Sequence, residues 1–187
     1  MDLNVRLHHE WIYDRPPRQL PADRSTARGR AIADWEEQIR FKPLEYGAFF
    51  DAAGNKHLER QGEPKRIGFT QAELKQVADM TFCHNHPDAL SFSEADVDLA
   101  RKANLSEIRV VTRYGCYVMV RPQAGWPSAN EMSTAFAKAM DIADSTTVRL
   151  LCHEGLNKRY AQIEYQHQVW RAFSTLLSIA YRREPLT

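Results

Sequence analysis

The most informative stretch of this sequence is Thr81-Phe82-Cys83-His84-Asn85-His86-Pro87, which Ser93-Glu94-Ala95-Asp96 follows after five residues. The first segment begins like a buried strand and ends at a loop that contains a proline. Side chains alternate between the two faces of a strand, so His84 and His86 point the same way and can bind one ion. The pattern therefore predicts a strand with two metal-binding imidazoles at its end.

The second segment predicts a helix that begins close to this strand end. Ser93 is a favourable N-cap residue, and Glu94 and Asp96 place negative charge in the first turn, where the helix dipole favours it. From there the carboxylate of Asp96 can reach back toward the two histidines. Two imidazoles and one carboxylate leave a fourth tetrahedral position for water, which is typical of catalytic zinc. We therefore predict that His84, His86 and Asp96 bind Zn2+.

The neighbouring segments alternate between strand-like and helix-like patterns. We predict helices over residues 31–40, 70–80 and 94–104, hairpins from 46–50 with 56–60 and from 107–112 with 116–120, and two C-terminal helices over 129–144 and 147–182. This order of elements predicts an α/β fold in which helices flank the sheet.

A hydrolytic zinc site also needs a carboxylate that accepts a proton from the attacking water. Glu45 stands at the entry of the first predicted strand, and that strand can lie beside the strand that carries His84. Glu59 and Glu63 belong to the same region and compete for this role. The sequence favours Glu45 and leaves the two alternatives open.

The set formed by an upstream Glu, His84-Asn85-His86-Pro87, Ser93 and Asp96 closely resembles the JAMM motif of the JAB/MPN metalloproteases. The tetrapeptide His-Asn-His-Pro is especially similar to that of bacterial and phage members, including the RadC-like proteins. The resemblance covers residues 45–122 and includes the order hairpin, helix, His-bearing strand, Ser-capped helix and further strands. One departure is the loop from Pro87 to Ser93, which is one residue shorter than in the usual motif.

The resemblance implies a mixed MPN-like sheet, Glu45 as general base, and Ser93 as a group that stabilises the tetrahedral oxyanion. It implies a metallopeptidase or isopeptidase that acts on a protein or peptide, for example a ubiquitin-like tail. The alternative is a phage- or toxin-associated accessory or interaction module that has a JAB-like fold with weak or no activity. Stoichiometric metal and the reach of Glu45 into the site distinguish these two functions.

The composition is that of an ordinary globular protein. The 187 residues include 25 Lys and Arg against 24 Asp and Glu, a balance that does not favour binding to nucleic acid or to anionic membranes. Three cysteines are too few for a disulfide framework and favour a reducing compartment. No apolar stretch approaches the roughly 18 residues that span a bilayer, and the first residues lack a signal-peptide pattern. We therefore expect a cytoplasmic location.

We divide the chain into an N-terminal arm (1–30), a JAB/MPN-like catalytic core (31–127) and a C-terminal helical extension (128–187). An apolar stripe in the extension has helical spacing and must be buried. It consists of Ile163, Trp170, Phe173, Leu177 and Tyr181. We expect this stripe to pack on the sheet of the same chain, with a homodimer or other protein interface as the alternative. His153, Asn157 and His167 leave a second metal site conceivable, although solvent-facing polar side chains are the simpler expectation.

Overall fold

A six-stranded mixed sheet forms the centre of the protein, and the computed structural model describes Tyr13 and residues 23–185. The strands are β1 (Tyr46–Phe50), β2 (Lys56–Gln61), β3 (Thr81–Asn85), β4 (Glu107–Thr112), β5 (Gly115–Val120) and β6 (Ala180–Pro185). Their order in the sheet is β2-β1-β3-β4-β5-β6. Only β3 and β4 pair in parallel among these strands, and the other neighbours are antiparallel.

Helices cover both faces of this sheet. They are α1 (Ala27–Ile39), α2 (Gln71–Leu74), α3 (Glu94–Lys102), α4 (Ala129–His153) and α5 (Ala161–Leu177), and a 3₁₀ turn over Lys158–Tyr160 precedes α5. The predicted α/β class, with a mixed sheet between helices, is therefore confirmed. None of the described helices is long and apolar enough to cross a membrane.

Strand β3 lies in the middle of the sheet, and all five of its residues are buried. Phe82 belongs to the main apolar core, on the face that α3, α4 and α5 cover. Cys83 belongs to a second cluster with side chains of α1, and Trp35 Nε1 donates a hydrogen bond to the carbonyl of Cys83 at 3.3 Å. The alternation along β3 thus places Phe82 and His84 on one face and Cys83 and Asn85 on the other.

Gly47 allows β1 to pack tightly against β3. It pairs with His84 in the sheet, and a Cβ atom at Gly47 would lie only 2.7 Å from Cε2 of Phe82. The Phe82 ring fills this space and stacks on both Phe49 and His84, with ring centroids 4.6 and 4.8 Å apart. The packing fixes His84 against an aromatic core.

The predicted break between the two C-terminal helices was wrong. The hydroxyls of Ser145 and Thr146 donate to the carbonyls of Asp141 and Ile142, one turn earlier, so these residues stay within α4. The chain turns instead at residues 154–157, where Gly155 has a φ of 75°. This left-handed backbone suits glycine, and it ends a helix more firmly than serine or threonine does.

The predicted helix over 147–182 was also wrong at its end. Helix α5 stops at Leu177, Ser178 adopts a φ of 53°, and residues 180–185 form strand β6 on the open side of β5. Successive side chains of β6 form ion pairs on opposite faces of the sheet. Arg183 pairs with Glu164 of α5 at 2.7 Å, and Glu184 pairs with Arg109 of β4 at 3.0 Å. The C-terminal segment is therefore part of the central sheet and is not purely helical.

The observed bounds of the other helices differ less from the predicted ones. Helix α2 is a single turn, shorter than the predicted helix over 70–80, although Thr70 forms the expected capping box with Glu73. Helix α1 begins at Ala27, four residues earlier than predicted, with Thr26 as its N-cap. Residues 27–30 of the predicted N-terminal arm therefore belong to α1, and residues 1–12 and 14–22 lie outside the described part of the chain.

Two members of the predicted apolar stripe lie deep in the core of the same chain. Trp170 and Phe173 are each 1% exposed, and their rings contact each other and Phe136 of α4. Ile163 and Leu177 are only partly buried, and Tyr181 lies on β6. Helix α5 is thus anchored to the core mainly through its aromatic residues.

We expect Trp170→Ala to lower the free energy of unfolding by about 3–5 kcal/mol, because it leaves a large cavity between α5 and the sheet. Urea unfolding monitored by circular dichroism measures the change, and size-exclusion chromatography should show the parent's oligomeric state. Leu176→Ala on the same helix is the control, since Leu176 is 45% exposed. Its effect should stay within about 0.5 kcal/mol. A Trp170→Ala protein of parental stability that changes from dimer to monomer would contradict this packing.

Candidate metal centre

The two histidines of β3 and the carboxylate of Asp96 converge at one end of the sheet. His84 Nε2 and His86 Nε2 lie 3.2 Å apart. Asp96 Oδ1 is 3.2 Å from His84 Nε2, and Asp96 Oδ2 is 3.4 Å from His86 Nε2. Within the described residues this is the one group of three or more His, Cys, Asp or Glu side chains arranged closely enough to hold a metal ion.

These separations fit a small tetrahedral cation. Ligand atoms with bonds of about 2.0–2.1 Å to a central ion lie about 3.3–3.4 Å from one another. The separations here are 3.2–3.4 Å, with a different oxygen of Asp96 facing each histidine. The donor set, two imidazole nitrogens and one carboxylate, is a common set for zinc. The residues present therefore fit Zn2+ in both spacing and chemistry.

The centre also has the electrostatic character of a cation site. Burial would raise the pKa of Asp96, but interactions with His84 and His86 outweigh it and hold this pKa well below its usual value. Burial would lower the pKa of His86, but Asp96 and Glu45 raise it to about 9. Burial lowers the pKa of His84 and so favours its neutral ring. The carboxylates thus favour a positive charge at this point, carried either by a proton or by a metal ion.

The loop after β3 holds the ring of His86 in an orientation suited to metal binding. Its Nδ1 lies 3.0 Å from the carbonyl oxygen of Ser91 and 3.2 Å from that of Leu90. Because carbonyls only accept hydrogen bonds, Nδ1 carries the hydrogen and donates it. In the neutral ring, Nε2 then directs its lone pair toward His84 and Asp96, as in histidine ligands generally.

Glu45 lies at the edge of the centre. Extension of the antiparallel β1–β3 register beyond Gly47 and His84 places Glu45 opposite His86, and Glu45 Oε1 is 3.9 Å from His86 Nε2. Burial raises the pKa of Glu45 to about 7, with Asp96 and Asp88 adding to this and His86 opposing it. The Glu45 carboxyl can therefore both accept and release a proton near neutral pH.

The two competing glutamates lie elsewhere. Glu59 is half exposed on β2 and pairs with Lys56, and Glu63 is exposed beyond the end of that strand. Glu45, by contrast, lines a cleft of about 330 Å³ together with His86 and Asp96. Of the three candidates, Glu45 has the geometry of a base for this site.

Ser93 and Asp96 hold each other in a capping box at the start of α3. The Ser93 hydroxyl donates to Asp96 Oδ2 at 2.7 Å, its backbone amide donates to the same oxygen at 2.6 Å, and the Asp96 amide donates back to Ser93 Oγ at 3.2 Å. This geometry orients the carboxylate toward the histidines. A hydroxyl has one hydrogen to donate, so a role of Ser93 toward an oxyanion requires rotation of this group and stays a prediction.

Asn85 is a structural contributor that the sequence analysis did not single out. Its side chain is fully buried on the face opposite the histidines, where Oδ1 accepts from the Tyr46 amide at 2.7 Å and Nδ2 donates to the carbonyls of Lys42 and Leu44. These bonds tie the segment that carries Glu45 to the end of β3. The sequence contained a signal for this role. Side-chain alternation along the strand places Asn85 on the face opposite the two histidines, and an amide group buried there needs hydrogen-bond partners.

The residues considered for a second metal site do not form one. His153 is exposed, and the exposed side chain of Asn157 caps the 3₁₀ turn by accepting from the Arg159 amide. His167 is buried instead of facing solvent, and its Nδ1 lies 2.9 Å from the hydroxyl of Tyr181.

Comparisons of the chain with protein-family models, with curated proteins and with solved structures find no match. The interpretation of the centre accordingly depends on the chain's own side chains. The observations that carry it are the convergence of His84, His86 and Asp96, the orientation of His86, and the position of Glu45 beside them.

Proposed function

We propose that this protein is a zinc-dependent hydrolase of the JAB/MPN type that cleaves an amide bond in a protein or peptide. The observation that carries the proposal is the convergence of His84, His86 and Asp96, with Glu45 at 3.9 Å from His86. The order of elements supports it as well: the β1–β2 hairpin, α2, the His-bearing β3, the Ser-capped α3 and the β4–β5 hairpin follow the order that the motif implies.

The three ligand side chains would hold the ion, and bound zinc would supply a Lewis acid that activates water and polarises a carbonyl group. Glu45 would accept a proton from the attacking water at Oε1 and deliver it to the leaving nitrogen, which converts an amide into an acid and an amine. Burial raises the pKa of Glu45 above its ordinary value, and this strengthens the carboxylate as a proton acceptor. Ser93 would keep Asp96 in its ligating orientation through the capping box.

The cleft beside Glu45 has the mixed character needed to bind a polypeptide. Lys65 and Arg66 line it together with Asp88 and Gln166. These side chains offer charged groups and hydrogen-bonding groups for peptide carbonyls, amides and charged side chains. A substrate segment in this cleft would place its scissile bond next to His86 and Glu45, and an extended protein tail of the ubiquitin-like kind is one such substrate.

We expect about one zinc ion per chain in protein purified without chelator, measured by inductively coupled plasma mass spectrometry. The double variant His84→Ala/His86→Ala should lose nearly all of it, because a single carboxylate holds zinc poorly. The double variant His57→Ala/His153→Ala is the matched control, since both histidines are exposed and lie outside the centre. Full retention of zinc by His84→Ala/His86→Ala would exclude the proposed site.

We expect Glu45→Gln to keep its zinc and to lose hydrolysis by about 10²–10⁴-fold, because the amide cannot accept a proton. Mass spectrometry of a proteome-derived peptide library, incubated with the zinc-loaded protein, measures the cleavage. Glu59→Gln is the control and should cleave like the parent.

Three results would change the assignment. Equal loss of zinc and activity in Glu45→Gln would make Glu45 a ligand or a folding residue. Undiminished cleavage by this variant would move the base to another group. A zinc-loaded parent that cleaves nothing in the library would favour the accessory-module alternative.

A further inference from the structure

The loop between His86 and Ser93 depends on groups from the C-terminal part of the chain. Two side chains of α5 reach the carbonyl oxygen of Phe92: Gln166 Nε2 donates to it at 2.8 Å and Trp170 Nε1 at 2.6 Å. From β6, the hydroxyl of Tyr181 lies 3.3 Å from Ser91 Oγ. Three side chains of residues 161–185 thus bond to two consecutive loop residues.

The contacted loop residues are the ones that orient the metal ligands. Ser91 gives His86 Nδ1 its nearest acceptor, and Phe92 directly precedes Ser93, which orients Asp96. Any displacement of Ser91 and Phe92 therefore moves the acceptor of one ligand and the cap that holds another. The loop is short, and the described residues place no regular secondary structure between β3 and α3.

The loop backbone is also strained, which makes outside support necessary. Ala89 has a φ of 67°, a left-handed conformation that alanine rarely adopts. Such a conformation persists only when surrounding contacts impose it. The Ala89 amide donates to the His86 carbonyl at 3.1 Å, and two and three residues further on the loop is held by the buried Phe92 side chain and the three hydrogen bonds from the C-terminal segment.

The Tyr181 hydroxyl also forms a hydrogen bond with His167. The His167 Nδ1 lies 2.9 Å from the Tyr181 hydroxyl, and burial, together with the nearby Arg183, lowers the pKa of His167 to about 3. With the neutral ring, either His167 Nδ1 or the Tyr181 hydroxyl donates in this bond, and in both cases the hydroxyl can bond to Ser91 Oγ as well. The hydrogen bonds run from His167 through Tyr181 to Ser91, and the Ser91 carbonyl continues the connection to His86.

We propose that Tyr181 and Gln166 are positioning residues of the metal centre: Tyr181 holds the Ser91 hydroxyl and Gln166 the Phe92 carbonyl, and the segment kept in place in this way fixes the ring of His86 and raises the affinity for zinc. The proposal rests on the proposed function only for the metal, because the orientation of His86 is a property of the chain without zinc. It assigns the C-terminal α5–β6 segment a part in the site itself.

The test compares Tyr181→Phe and Tyr181→Phe/Gln166→Met with Tyr160→Phe. Tyr160→Phe is the matched control, since it removes a buried tyrosine hydroxyl that donates to the Tyr13 carbonyl, away from the loop. Zinc affinity is measured by competition with a chromogenic chelator, and stability by urea unfolding. We expect affinity to fall by about 10–100-fold in the double variant, with a smaller loss in Tyr181→Phe and parental affinity in the control.

A second measurement separates positioning from general destabilisation. The NMR shift of the His86 Nδ1–H proton in the metal-free protein should report its hydrogen bond to the loop carbonyls in the parent and in Tyr160→Phe, and a weakened bond in the double variant, because Nδ1 carries this hydrogen in the neutral and in the charged ring. Parental shifts and parental zinc affinity in the double variant would overturn the proposal while leaving the zinc site intact. Equal affinity losses in the control would overturn it too. A parent that binds no zinc would instead remove the proposed function, and the NMR comparison would still decide whether Tyr181 and Gln166 position His86.

Discussion

The alternation of side chains along β3 is the constraint on which the core and the candidate centre both depend. Because β3 lies between β1 and β4 with helices on both faces, each of its side chains must suit one of two different environments. Phe82 and His84 face the aromatic core, while Cys83 and Asn85 face α1 and the start of β1. A shift of one residue would bury the histidines beneath α1 and separate them from Asp96. The amide of Asn85 opposes such a shift, since its three hydrogen bonds fit only one register.

Placing two imidazoles and a carboxylate at the end of a buried strand is costly unless every polar atom has a partner. Asp96 meets this demand through the amide and hydroxyl of Ser93, and His86 through the carbonyls of the following loop. Among the remaining atoms, His84 Nε2, His86 Nε2 and Asp96 Oδ1 have only one another. Three acceptor-rich groups in contact need a positive charge among them, and either a proton or a divalent cation satisfies this need. The elevated pKa of His86 is the sign of that demand in the metal-free chain.

Much of this arrangement followed from local sequence patterns. Both hairpins, β3 and the cap of α3 are encoded by short segments whose own residues determine them, and the convergence of His84, His86 and Asp96 follows from strand and helix geometry. The predicted helix break at residues 145–146 was wrong because serine and threonine interrupt helices only weakly. The helix α4 ends instead just before Gly155. Strand β6 could not be predicted from its sequence, Ala-Tyr-Arg-Arg-Glu-Pro, since its charged side chains favour a strand only once Glu164 and Arg109 are there to pair with them. Tertiary partners, absent from any local window, decided that segment.

The same limit explains why the support of the loop after His86 was not visible beforehand. Its central acceptors are the carbonyls of Ser91 and Phe92, and a backbone carbonyl leaves no signature in a sequence. The donors to the Phe92 carbonyl lie more than 70 positions later, on a helix whose aromatic residues give only a packing signal. Trp170 joins the two roles: its ring fills the core between α5 and the sheet, and its Nε1 holds the carbonyl that precedes Ser93. Packing of the C-terminal helix and the geometry of the candidate metal centre are therefore coupled through one side chain, so the boundary drawn at residue 127 from the sequence does not separate the candidate centre from the segment that follows.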